Sequence, residues 1–254
     1  MKNCIDNIFP GAELLREDAA EAHYMIPAGA DRFWLAVPAD RDLNTLHVIF
    51  VFSGLGGTGK ANNISGEGIP GEFRRRMLQA GFAFICAECS PHAWGDPEST
   101  RATLSAMDYC RSRGVALPEK TDLLGFSMGG LGVLMFAARH PERVRRVTDV
   151  FGITDFEKFS RHSKYRAELE LIPEAERADR CPCARAERYK DMEMLIIHGT
   201  EDATVDISYS ERLYELLQKQ GTACRFIKVP DTGHTNDILK DTGTAICEFF
   251  LRQE

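Results

Sequence analysis

Short apolar runs recur along the chain, each bounded by turn residues: HVIFVF (47–52), FAFICAE (82–88), TDLLGF (121–126), RVTDVFG (146–152), EMLIIHG (193–199) and CRFIKV (224–229). Strands this short and this apolar are buried on both faces. When helical segments separate them, the chain must cross back over a mostly parallel sheet. The intervening segments are helical in spacing. GEFRRRMLQAG (71–81), STRATLSAMDYCRSRG (99–114) and ISYSERLYELLQKQG (207–221) each end in glycine, and Ser99 or Thr100 is positioned to cap the second. HYMI (23–26) and RFWLAV (32–37) add two opening strands around the turn PAGAD. The pattern predicts an α/β chain, a single domain over 1–254 with a mainly parallel sheet of about eight strands and helices on both faces. Residues 154–190, rich in charge and lying between two strands, are expected to form a short helical insertion over the sheet.

The loop after the third strand raises a question of chemistry. In SGLGGTGKA (53–61), Gly54, Gly59 and Lys60 fit the G-x-x-x-x-G-K spacing of a phosphate-binding loop. Such a loop needs a hydroxyl after the lysine for magnesium and a helix whose N-terminus faces the phosphates. Ala61 offers no hydroxyl, and the following NNISGEGIPG is loop chemistry. Nucleotide hydrolysis is therefore rejected.

LLGFSMGG (123–130) carries more. Gly125-Phe126-Ser127-Met128-Gly129 fits G-x-S-x-G between a strand and an apolar helix. A sharp strand-to-helix turn there presents the serine oxygen at a helix N-terminus, where developing negative charge is favoured. A serine nucleophile needs a base, itself oriented by an acid. HGTEDATV places Asp202 after one strand, and VPDTGHTND places His234 after the last. Strand ends on one edge of a parallel sheet converge, so Ser127, Asp202 and His234 can meet; Asp206 and Asp231 are alternative acids in the same two loops.

With these motifs the chain resembles the α/β-hydrolase superfamily. GFSMGGLGVLMFAARHPERV is similar to the nucleophile elbow and following helix of serine esterases. HGTEDATVDISYSERLYELLQKQG…KVPDTGH is similar to the C-terminal half of the prolyl-oligopeptidase and dienelactone-hydrolase-like groups. The resemblance covers roughly residues 45–254 and implies the α/β-hydrolase fold, with Ser127 as nucleophile, His234 as general base and then acid, and Asp202 as its orienting carboxylate. It also explains the glycine loop, whose counterpart in such enzymes supplies one backbone N–H of the oxyanion hole. On that pattern the donors are Leu55 and Met128, although Ser53-Gly54 stands where the family often has His-Gly. The implied activity is hydrolysis of small carboxylic esters through an acyl-enzyme, with no metal and no organic cofactor. A peptidase or acyltransferase on the same residues, or a non-catalytic binding module of this fold, are the alternatives.

His92 and Trp94, in SPHAWGDPE after a strand, are candidate substrate-binding residues on the same edge. His198 and His140 are expected to be structural, and the basic run 160–166 to be a solvated helix face. The eight cysteines are scattered; Cys86, Cys89, Cys181 and Cys183 lack the spacing of a zinc knuckle, so free thiols in a reducing, cytoplasmic setting are expected. A net charge of −7 argues against nucleic acid or an anionic membrane as partner, and no apolar stretch reaches the length of a membrane span.

Overall fold

A computed structural model describes residues 5–252 of the chain; Cys4 lies outside the described residues. The elements are α1 (Ile5–Ile8), β1 (Glu13–Glu17), β2 (Glu21–Ala28), β3 (Asp31–Pro38), β4 (His47–Phe52), α2 (Gly68–Gln79), β5 (Phe82–Ala87), α3 (Pro97–Ser112), β6 (Thr121–Phe126), α4 (Met128–Arg139), β7 (Val144–Val150), α5 (Phe156–His162), α6 (Arg166–Leu169), α7 (Glu174–Asp179), β8 (Glu193–Gly199), α8 (Ile207–Lys219), β9 (Ala223–Val229) and α9 (Leu239–Leu251).

The strands form one sheet of nine in the order β1-β2-β3-β5-β4-β6-β7-β8-β9. The first three strands and the β3–β5 pairing are antiparallel, and every pairing from β5 onward is parallel. This is the α/β-hydrolase arrangement, one strand richer than the apolar runs suggested. The extra strand is β1, ELLRE, which lies at the edge with most residues exposed and so carries no apolar run.

Alternation along β4 explains the layers. Val48, Phe50 and Phe52 join the apolar cluster that also holds Met107 of α3, Leu134 of α4 and Leu213 of α8. Ile49 and Val51 point to the other face, into the cluster with Phe73 of α2 and Phe249 of α9. Both faces of the central strands are thus covered, which is why those strands are apolar throughout. The same division separates the cysteines: Cys181 and Cys183 pack in the first cluster and Cys86 in the second. The seven described cysteines are free.

The sheet order also places the site. β4 lies between β5 and β6, so successive crossovers leave it in opposite directions and open a crevice at its C-terminal end. Phe52 pairs with Gly125 there, so the glycine loop after β4 and the serine turn after β6 emerge side by side. α2 begins only at Gly68, so no helix N-terminus faces Lys60. α3 starts three residues earlier than a Ser99 cap would set: Asp96 is its N-cap, accepting from Ser99 N–H at 2.7 Å, with Pro97 in the first turn. Among the described residues no helix is long and apolar enough to cross a membrane.

Candidate active site

Ser127 sits between β6 and α4 with φ +55° and ψ −118°, a strained conformation for a residue with a side chain. The turn is possible because its neighbours lack side chains. A Cβ on Gly125 would stand 2.3 Å from the Gly129 carbonyl oxygen, and one on Gly129 would stand 2.0 Å from that of Phe52. The close approach tucks the first turn of α4 against β4 and β6 and leaves the serine hydroxyl projecting from the helix N-terminus.

His234 reaches that hydroxyl from the loop after β9, with Nε2 2.8 Å from Ser127 Oγ. Its Nδ1 lies 2.6 Å from Asp202 Oδ2, in the loop after β8. A carboxylate accepts, so Nδ1 carries the proton and Nε2 accepts from the serine hydroxyl. The ring is backed by Phe151, whose centroid lies 4.6 Å away. The two loops are joined to each other: Glu201 N–H donates to the Thr232 carbonyl at 3.0 Å, and Thr200 N–H to that of Val229 at 2.9 Å. The imidazole and its carboxylate therefore belong to one hydrogen-bonded unit.

The side chain of Asp202 is fully buried. Burial works against its charge, but hydrogen bonds from His198, His234 and the Val205 amide outweigh it and hold the carboxyl well below the ordinary Asp range. Oδ1 accepts from the Thr204 and Val205 amides at 2.8 and 2.9 Å. Asp206 is instead the N-cap of α8, accepting from Ser208 N–H, and Asp231 is exposed in its turn. Of the three candidate acids, Asp202 is the one brought to the histidine.

His198 was expected to be structural, and its contacts are more specific than that. It is fully buried, with Nδ1 2.8 Å from Ser210 Oγ and Nε2 2.8 Å from the Val205 carbonyl and 3.3 Å from Asp202 Oδ2. Both Nε2 partners accept, so that nitrogen carries hydrogen and supports the same carboxylate oxygen that His234 meets. A histidine at the end of an apolar strand gives no spacing signal for this role.

In the glycine loop, the Gly54 amide donates to Asn63 Oδ1 at 2.7 Å, that of Gly56 to the Pro91 carbonyl at 2.9 Å, and that of Gly57 to the Gly54 carbonyl at 3.0 Å. The Leu55 amide between them is left without an acceptor among the described residues. Met128, the first residue of α4, has an N–H that the helix cannot use.

His92 and Trp94, the candidate substrate-binding residues, lie on this edge of the sheet, and Trp94 is buried. It is 3% exposed, its ring enclosed by Phe156, Phe159 and Tyr165 at centroid distances of 6.4, 6.2 and 5.5 Å. Its indole N–H donates to Glu168 Oε1 at 2.7 Å, and His92 Nδ1 meets the same oxygen at 2.7 Å. The tryptophan is the anchor on which the helices after β7 fold down. The basic run in those helices is largely paired: Arg161 with Glu157 and Arg166 with Glu170, each at 2.6 Å.

Known proteins share the fold. The model of the prolyl oligopeptidase family matches residues 94–252, more than half of the chain. An uncharacterized secreted protein of Arthroderma benhamiae is 26% identical over 163 residues, which are 59% of this chain and 18% of that protein. Among solved structures, the acylaminoacyl peptidase of Pyrococcus horikoshii superposes with a TM-score of 0.71 at 14% identity, over 91% of this chain and 41% of its own. The S-formylglutathione hydrolase of Agrobacterium tumefaciens superposes with a TM-score of 0.70 at 17% identity, covering 94% and 98% of the two chains. A truncated carbohydrate esterase from gut microbiota gives 0.70 at 20%, covering 92% and 97%. At such identities the superpositions speak for the fold, and the family match speaks for the lineage: this chain belongs to the prolyl oligopeptidase family, serine hydrolases of the α/β-hydrolase fold.

Proposed function

We propose that this chain hydrolyses small carboxylic esters through an acyl-enzyme on Ser127. The observation that carries the reading is the hydrogen-bonded series Asp202–His234–Ser127, at 2.6 and 2.8 Å, on the elbow of a serine hydrolase family. Ser127 Oγ attacks the ester carbonyl as its proton passes to His234 Nε2. Asp202 stabilises the resulting imidazolium without taking its proton. The tetrahedral oxyanion is held by the amides of Leu55 and Met128, donors of a kind worth roughly 10²–10³ in kcat. His234 then protonates the departing alcohol, accepts a proton from water as that water attacks the acyl-enzyme, and returns it to Ser127.

A small acyl group suits the surroundings. The insertion turns its aromatic rings inward onto Trp94 and leaves charged pairs outside. Leu171 is the one large apolar side chain of that insertion to be strongly exposed among the described residues. Little apolar surface remains for a long chain. Family membership favours one further reading, a peptidase on the same residues. The test is kcat/KM across p-nitrophenyl esters from acetate to palmitate, beside an aminoacyl p-nitroanilide and a triglyceride emulsion. The reading predicts a maximum at short acyl chains. A maximum at long chains, activation at the oil–water interface or preference for the anilide would overturn it.

The seven free thiols among the described residues support a reducing compartment, and we place the protein in the cytoplasm. Recovery of the protein from culture medium instead of cell extract would refute that location.

A further inference from the structure

We propose that Asn63 is a positioning residue that sets the oxyanion donor of the glycine loop and locks it to the loop carrying His234; this rests on the reading of Ser127 and His234 given above. Asn63 Oδ1 accepts from the Gly54 amide at 2.7 Å and from the Ser53 hydroxyl at 3.3 Å. Its Nδ2 donates to Asn236 Oδ1 at 3.0 Å. Chemistry fixes the orientation of the amide. The Gly54 N–H can only donate, so the atom it meets is the oxygen, and the nitrogen faces Asn236. One neutral side chain thus joins the residue before Leu55 to a residue two positions after His234.

The consequence for the oxyanion site is geometric. With the Gly54 amide drawn to Asn63 and the Gly56 amide to the Pro91 carbonyl, the peptide plane of Leu55 is fixed between two anchored neighbours. Gly54 also lies beside the carbonyl of Phe126, the residue before the nucleophile; a Cβ there would stand 3.4 Å from that oxygen. A shift of Asn63 therefore moves the Leu55 donor relative to both Ser127 and His234.

Asn63 is itself held by a rigid frame, so it imposes geometry on the loop. The adjacent Asn62 is buried and staples the loop internally, accepting from Ile64 N–H at 3.0 Å and donating to the Gly59 carbonyl at 2.8 Å. The fully buried guanidinium of Arg74 donates to the carbonyls of Ile64 and Gly66. Two hydrogen bonds, of 2.8 and 2.7 Å, tie Arg74 to buried Glu21 of β2. The loop that resembles a phosphate site by spacing is built as a scaffold for one backbone N–H.

The test compares wild type with Asn63→Ala, Asn236→Ala and the double variant. Measurements are kcat and KM on p-nitrophenyl acetate, the rate of fluorophosphonate labelling, and the inhibition constant of a trifluoromethyl ketone, which mimics the tetrahedral oxyanion. A misplaced donor for an anion that exists only in the transition state lowers kcat and leaves substrate binding alone. Asn63→Ala is expected to lower kcat about tenfold to a hundredfold with KM within about threefold. Labelling should slow, and ketone affinity should fall in parallel with kcat/KM. Asn236→Ala, which loses one partly exposed hydrogen bond and should fold normally, is expected to lower kcat about threefold to tenfold. The double variant should be no worse than Asn63→Ala, since both act through one connection. Wild-type labelling with equal rates and equal ketone affinity in the variants would overturn the positioning role alone, as would additive losses. A wild type that is neither labelled nor active on any ester would overturn the catalytic reading and this role with it.

Discussion

Asp149 of β7 offers a stability prediction that can be worked from the structure. Its side chain is fully buried behind the elbow helix, and a Cβ on Gly130 of that helix would stand 2.1 Å from its Oδ1. Neither carboxyl oxygen makes a hydrogen bond of normal geometry among the described residues, although Gly152 lies against it. Burial pushes the carboxyl from 3.8 up to about 7, with nearby His198 and the Gly152 amide pulling the other way. The native state therefore holds its proton over a range where the unfolded chain has released it. Because the unfolded state binds fewer protons there, the contribution of Asp149 to stability falls as pH rises from about 4 to about 7 and is level on either side. A difference of about three pKa units corresponds to about 4 kcal/mol, lost at no more than ~1.4 kcal/mol per pH unit. Asp149→Asn keeps the shape and removes the titration. Urea unfolding of both proteins should be followed from pH 4 to pH 8. The variant should gain on the wild type by about 4 kcal/mol across that interval. Parallel curves would refute the reasoning, and a wild type that gains on the variant as pH rises would mean that Asp149 has a partner stabilising its charge.

Other outcomes follow from the same contacts. Asp202→Asn should leave His234 in the wrong tautomer and lower kcat by about 10⁴; Asp206→Asn should leave kcat nearly unchanged, and the reverse ranking in steady-state kinetics would reassign the acid. Lys60→Ala should keep kcat within about threefold, because its helix-less loop supplies no phosphate site. Saturable binding of Mg-ATP by calorimetry, lost in that variant, would contradict this. Trp94→Ala should cost about 3–5 kcal/mol in urea unfolding, because the ring is core to the insertion. A change under about 1 kcal/mol with a large rise in KM would restore Trp94 to the substrate.

The central strands and the reacting residues were legible for the same reason. β4, β6 and β8 are buried on both faces, so apolar runs bounded by turn residues mark them to the residue. Parallel strand ends converge, so three loops distant in sequence can be placed on one edge from the order of the strands alone. β1 was hidden because an exposed edge strand with charged ends has no such run. Ser99 was a plausible cap by residue type, and Asp96 displaced it because Pro97 fixes the first helical turn beyond it. The burial of Trp94 was not legible because it depends on Phe156, Phe159 and Tyr165, some sixty or seventy residues on, and no local pattern records that return. Asn63 and His198 act through a few hydrogen bonds each, which leave no periodicity, charge pattern or spacing in a sequence.

The central claim is that Ser127 is a nucleophile activated by His234, and covalent capture tests it most directly. Wild-type protein is treated with a fluorophosphonate, digested, and the modified peptide identified by mass spectrometry, beside Ser127→Ala and His234→Ala whose folding is checked by circular dichroism. The account predicts one label per chain on Ser127. It also predicts no label in Ser127→Ala, strongly slowed labelling in His234→Ala, and ester turnover reduced by about 10⁴ or more in each folded variant. Labelling at a different residue, or full ester turnover by Ser127→Ala, would contradict it.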